Sequence, residues 1–259
     1  DTSPADLFIG AFFFAMRSCE YLSVSGTRRT RRLCLRNIRF YKGNREVDHQ
    51  SCYLELADTV SITFEFQKND VRNDVVTMYN TRDPVLCPVH RWASIVQRVH
   101  KLHGGTASKD ADVNTYYDDI SKSIKLLKGT EGLKILRDIV KKMGKDRLGY
   151  EAHEMGTHSI RSGAAMAMYL DGTPVYTIML IGRWSSDAFL RYIRKQVQQF
   201  SQGVSRRMIR NPEFFTIPDD QGPSSQDPRA PGHQLNFSAH SSNNGPLSQA
   251  QRPAMSLWG

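Results

Sequence analysis

The stretch GRWSSDAFLRYIR, residues 182–194, sets Tyr192 between two arginines and eight positions after Trp184. Upstream, GTHSIRSGAAMAMYL places His158 and Arg161 three residues apart, hence on one face of a helix that contains them. Thr157 is positioned to cap that helix, whose first N–H groups would favour an anion. A tyrosine hydroxyl, with an ordinary pKa of about 10, is a poor nucleophile until a site activates it. A guanidinium offers paired, planar donors to phosphoryl oxygens, a geometry that an ammonium reproduces badly. Taken alone, HxxR is better read as one structural histidine and one surface arginine.

Two further cations are placed unusually. AMRSCEYL carries Arg17 late on the most apolar helix of the chain, among Phe12, Phe13, Phe14 and Leu22. A charge there needs a surface position or a partner, and Glu20, one turn on, can orient it. Lys68 falls at the tip of an expected hairpin, where a long flexible cation can reach into a groove, although such lysines are usually only solvated.

The elements that must position these residues are legible as periodicities. Residues 5–24 read as one buried helix starting near Pro4 and Asp6 and breaking by Ser25-Gly26. Strands are expected near 33–41, 59–67 and 74–79, with Val60, Ile62, Phe64 and Phe66 at period two. Helical spacing follows over 88–103, 116–128, 131–143, 158–170, 174–181 and 187–209. Gly163, Ala164, Ala165 and Ala167 would let a second helix approach closely, and Tyr169 reads as core. The fold class is therefore mainly α with a small antiparallel β-sheet, an α+β arrangement.

Composition narrows the function. The 259 residues carry a net charge of +9, yet the segment 212–259 is acidic on balance and rich in Pro, Ser, Gln, Asn and Gly. The folded part, residues 1–211, therefore holds the basic excess, which points to a polyanion. The polar segment 212–259 cannot bury enough apolar surface to offset its ordering entropy and reads as a disordered tail. Cys19, Cys34, Cys52 and Cys87 form no CxxC pair, which argues against zinc spacing or a disulfide framework and for reduced, mostly buried thiols. The run LFIGAFFFAM is about half the length a bilayer span requires, so no membrane association is expected.

The ordered set of AMRSCEYL, a hairpin with Lys68, HSIR, GRW and a following tyrosine resembles the tyrosine recombinase (phage integrase) family across roughly residues 5–205. The wording HSIRSGAA…GRWSSDAFLRYIR is most similar to recombinases of DIRS-like retrotransposons and related eukaryotic mobile elements. That resemblance implies DNA strand cleavage and rejoining through a 3′-phosphotyrosyl intermediate, with double-stranded DNA as partner, a synaptic homotetramer, no cofactor or metal, and, if the chain comes from a eukaryotic mobile element, the nucleus as location. It assigns Tyr192 as nucleophile, Arg17 and Arg161 as the phosphate clamp, and Lys68 as general acid toward the 5′ oxygen. His158 would accept or relay the tyrosine proton, and Trp184 would pack the pocket and offer its indole N–H. Trp184 stands where histidine is the commoner residue, and its interval to Tyr192 is one residue shorter than usual. The family's N-terminal DNA-clamping domain is expected to lie outside this stretch. Two other readings remain open: an inactive, element-derived DNA-binding module, and a relative of the type IB topoisomerases.

Overall fold

A computed structural model describes residues 3–26, 30–66 and 72–184; the expected helix 187–209, Lys68, Tyr192 and the segment 212–259 lie outside them. The chain opens with α1 (Ser3–Phe13) and α2 (Ser18–Tyr21), then β1 (Ile38–Lys42), β2 (Arg45–Val47), β3 (Thr59–Phe64) and β4 (Asp74–Tyr79). After these come α3 (Pro88–Leu102), β5 (Thr115–Asp118), β6 (Ser123–Leu126), α4 (Gly129–Met143), α5 (Lys145–Leu148), α6 (Ser159–Leu170) and α7 (Val175–Gly182). The result is a mixed α/β fold in which β2-β1-β3-β4 form a small antiparallel sheet and β5-β6 a separate hairpin.

Alternation explains the sheet. Val60, Ile62 and Phe64 of β3 are buried on one face and pair in register with Met78, Val76 and Asp74 of β4. On the opposite face the hydroxyls of Ser61 and Thr77 lie 2.7 Å apart. The expected strand over 33–41 begins only at Ile38, because residues 35–37 form a tight helical turn in which the Asn37 side chain accepts the Cys34 N–H at 2.9 Å.

The core lies between α1, α3 and the buried sheet face. Pro88 opens α3, where its missing N–H costs nothing, and Val89, Trp92, Ile95, Val96 and Val99 are fully buried along it. Gly10 of α1 lets the Trp92 ring approach so closely that an added Cβ would sit 3.0 Å from the indole nitrogen. Phe14 meets the same ring edge-on, with centroids 6.1 Å apart.

Two expected helices are corrected. The first apolar run does not continue to residue 24: α1 ends at Phe13 and Ala15 turns left-handed, with φ 44°. The Met16 N–H then reaches the Ala11 carbonyl at 3.0 Å, closing the helix end. Residues 116–128 do not form a helix either. Asp118 accepts the Ile120 N–H at 3.3 Å and the Ser121 hydroxyl at 2.6 Å, so local side-chain bonds build a turn and residues 115–126 pair as a hairpin. Lys122 completes the turn at φ 51°.

Other surface assignments also shift. Cys34 and Cys87 are buried, Cys19 is half-buried and Cys52 is exposed. Tyr169 is 39% exposed on α6 and so is not core. Among the described residues no helix is long and apolar enough to cross a membrane.

At the end of β3, Glu65 gathers Arg36 at 2.7 Å and the Asn37 amide at 3.0 Å, with Arg31 at 3.5 Å. The Arg36 hydrogen bond is the main reason its carboxyl is held down to about 2, against an ordinary 4.5. A depressed carboxyl stabilises the fold above its unfolded pKa and loses that contribution as pH falls through the folded one. Acid titration of stability should therefore show a decline between about pH 4.5 and pH 2 that Glu65→Gln flattens. Gly10→Val should lower stability by about 1–3 kcal/mol in urea denaturation, because the side chain must displace buried Trp92.

Candidate functional site

The break after α1 leaves the carbonyls of Phe14 and Ala15 outside helical bonding, and two arginines far along the chain, Arg161 and Arg183, supply donors to them. Arg183 Nη1 donates to the Phe14 carbonyl at 3.0 Å and Arg161 Nη1 donates to the Ala15 carbonyl. Arg161 Nη2 also donates to the carbonyl of Gly182, so one guanidinium ties the helix break to the end of α7. Its side chain leaves α6 on the buried side, beside Ala164 and Ala165, while Gly163 and Ala167 face solvent. The small residues thus serve a narrower contact than the sequence suggests, with α6 packed on α1 and α7.

Arg17 does not sit on α1. It is the residue before α2, with extended backbone, and its N–H and Nη1 donate to the two oxygens of Glu20 at 2.8 and 3.0 Å. Glu20 is 1% exposed and also accepts Arg183 Nη2 at 2.8 Å. Arg17 Nη2 reaches the Arg183 carbonyl at 3.4 Å. Arg183 ends α7 in a left-handed turn, φ 55°, and its guanidinium lies 3.5 Å from the centroid of the Phe64 ring. Burial pushes its pKa down while the Glu20 carboxylate opposes the shift.

Trp184 closes the group. Its ring lies 4.1 Å from the Arg161 guanidinium and occupies the space where a Cβ on Gly182 would be. The glycine of GRW is therefore required by the tryptophan that follows it. The Arg17 and Arg183 guanidiniums bond the Glu20 carboxylate, Arg161 joins the group through the Gly182 carbonyl, and Asp74 at the start of β4 acts on Arg183 from the sheet side. Such an excess of positive charge in a partly desolvated setting attracts an anion.

Of the six residues singled out from the sequence, the structure brings Arg17, Arg161 and Trp184 together. His158 is exposed and occupies the N-cap of α6, the position expected of Thr157, so it stands one turn before Arg161 at the same helix end. Lys68 and Tyr192 lie outside the described residues. Tyr169 and Tyr176 are 39% and 71% exposed on α6 and α7. Arg183 was missed by sequence reasoning. A signal for it existed in Glu20, an acidic residue within an apolar segment that demands more than one exposed partner. Among the described residues no three His, Cys, Asp or Glu side chains are grouped to hold a metal ion. Comparison of the sequence with known protein families and with curated proteins finds no match.

Removing one member of a buried ion pair leaves the other uncompensated, at a cost of about 3–5 kcal/mol. Glu20→Gln should therefore destabilise the protein by about 3 kcal/mol. Adding Arg183→Met to that variant should recover part of the loss, and urea denaturation of the three proteins reads the coupling directly.

Proposed function

We propose that this chain is the catalytic domain of a tyrosine recombinase, similar to those of DIRS-like mobile elements, which cuts and rejoins duplex DNA within a synaptic homotetramer. The observation that carries the reading is the convergence of Arg17, Arg161 and Trp184 from three distant segments on one positively charged group. A second observation supports it: the hairpin whose connection contains Lys68 has its last described pair, Phe64 and Asp74, bordering that group.

In this reading the Tyr192 hydroxyl oxygen attacks the scissile phosphorus and the bond to the 5′ oxygen breaks. Lys68 supplies the proton to the departing oxygen, and His158 takes the proton of the tyrosine. Arg17 and Arg161 neutralise the non-bridging oxygens, and phosphoryl transfer gains most from such fixed charge. Rejoining reverses the steps, with a 5′ hydroxyl attacking the phosphotyrosine.

The burial of Arg161, 2% exposed and engaged by two backbone carbonyls, favours a second reading as a DNA-binding module without turnover. One trapping experiment separates the two. A pool of nicked duplexes of randomised sequence, from which the cleaved end diffuses away, should yield a covalent 3′-phosphotyrosyl adduct mapped by mass spectrometry to Tyr192. Tyr192→Phe should bind duplex as the wild type does and form no adduct, since only one hydroxyl is lost. Arg161→Lys should keep its circular dichroism spectrum yet lose the adduct, because an ammonium cannot replace the fork. Duplex binding without adduct from the wild type would establish the binding module instead, and an adduct on Tyr169 or Tyr176 would remove Tyr192 from the mechanism. Binding itself should be weak, ~10⁻⁶ M or poorer at physiological salt, and should weaken steeply as salt is raised.

A further inference from the structure

A second basic site lies at the opposite end of α1 from the arginine group. Asp6, in the first turn of α1, is 4% exposed and faces two arginines of α3: Arg91 Nη1 at 2.9 Å and Arg98 Nη1 at 3.3 Å. Arg91 Nη2 goes to the Pro84 carbonyl at 2.9 Å, and Arg98 Nε goes to the Thr115 carbonyl at 3.4 Å. One nitrogen of each guanidinium, Arg91 Nε and Arg98 Nη2, remains buried without a hydrogen-bond partner. Buried donors of this kind are costly, about 1–3 kcal/mol each, and are rare in folded proteins unless an acceptor is bound.

The surroundings supply room and further donors. Arg91, Ser94, Arg98 and Lys101 follow one another along a single face of α3, with Gln97 beside them, and together with Asp6 they line a cavity of about 360 Å³. Lys101 is exposed at this cavity and makes no ion pair with any described residue. Three cations against one carboxylate leave two positive charges in excess. A carboxylate ligand would neutralise only one of them. We propose that this cavity binds the oxygens of a phosphate group, held between the Arg91 and Arg98 guanidiniums with Lys101, Ser94 and Gln97 around it. The assignment is independent of the recombinase reading and rests on none of its residues.

The phosphate can belong to a small phosphate compound or to a nucleic-acid backbone, and two titrations distinguish these. In calorimetry with inorganic phosphate at constant ionic strength, the full chain should show saturable binding to one site. Lys101→Glu, a change at an exposed position, should weaken it by about tenfold or more, and Arg98→Gln, checked for folding by circular dichroism, should abolish it. In anisotropy with a fluorescent duplex, a backbone phosphate in the site predicts that Lys101→Glu weakens binding and lowers the salt slope by about one. Unchanged duplex binding together with lost phosphate binding assigns the site to a small phosphate compound. Phosphate heats no larger than those of chloride, or equal in the wild type and Lys101→Glu, would overturn the proposal.

Discussion

The buried pair of Glu20 and Arg183 is the contact on which the joining of the first and last described segments depends. Taking a carboxylate and a guanidinium out of water costs several kcal/mol per ion, and their attraction repays this only when nearly all their hydrogen-bonding capacity is met. Among the described residues that condition is met for every group of the pair except Arg183 Nε, which is buried without an acceptor. Glu20 accepts the Arg17 N–H, Arg17 Nη1 and Arg183 Nη2, while Arg183 adds the carbonyls of Phe14 and Ile181 and the face of the Phe64 ring. The pair therefore ties the break after α1, the short α2, strand β3 and the end of α7 to a single point. Such a contact adds little net stability over a well-packed apolar cluster, but few other packings of these elements would satisfy it.

The break in the first helix and the distant arginines Arg161 and Arg183 explain each other. An alanine at positive φ is unfavourable by about 1–2 kcal/mol, and two main-chain carbonyls freed inside a core are worse. Arg161 and Arg183 remove the second cost by donating to Ala15 and Phe14, and the break in turn gives two buried guanidiniums acceptors that carry no charge. Because carbonyls rather than carboxylates meet much of their hydrogen-bonding need, the arginines keep a positive field. This separates hydrogen-bond satisfaction from charge neutralisation, which is what an anion-attracting site inside a fold requires.

The same logic marks what could be read from the sequence. The long helices α3, α4 and α6 and the pairing of β3 with β4 follow from local periodicity and capping, and they were legible to within a few residues. The break at Ala15 was not, since LFIGAFFFAM is uniformly apolar and the acceptors' partners lie well over a hundred residues away. The hairpin at 115–126 was hidden for the opposite reason: a local network around Asp118 outweighs a helical spacing of apolar residues. In the site, Arg17, Arg161 and Trp184 were reachable because their order along the chain resembles a known pattern. Arg183 was not, because its role is set by Glu20 across the fold.

Charge placement along α1 carries the argument one step further. Eleven helical residues span about 16 Å, with Asp6 in the first turn and the Phe14 and Ala15 carbonyls just past the last. At each end a single buried carboxylate holds two arginines: Asp6 holds Arg91 and Arg98 of α3, and Glu20 holds the neighbouring Arg17 and the distant Arg183. One carboxylate shared by two guanidiniums fixes both forks and still leaves the cluster cationic, whereas one carboxylate per arginine would fix them and cancel the charge. Repetition of that two-to-one ratio at both ends accounts for a domain that can bury arginines and remain basic. It also makes the proposed anion sites a consequence of the core and not an addition to its surface.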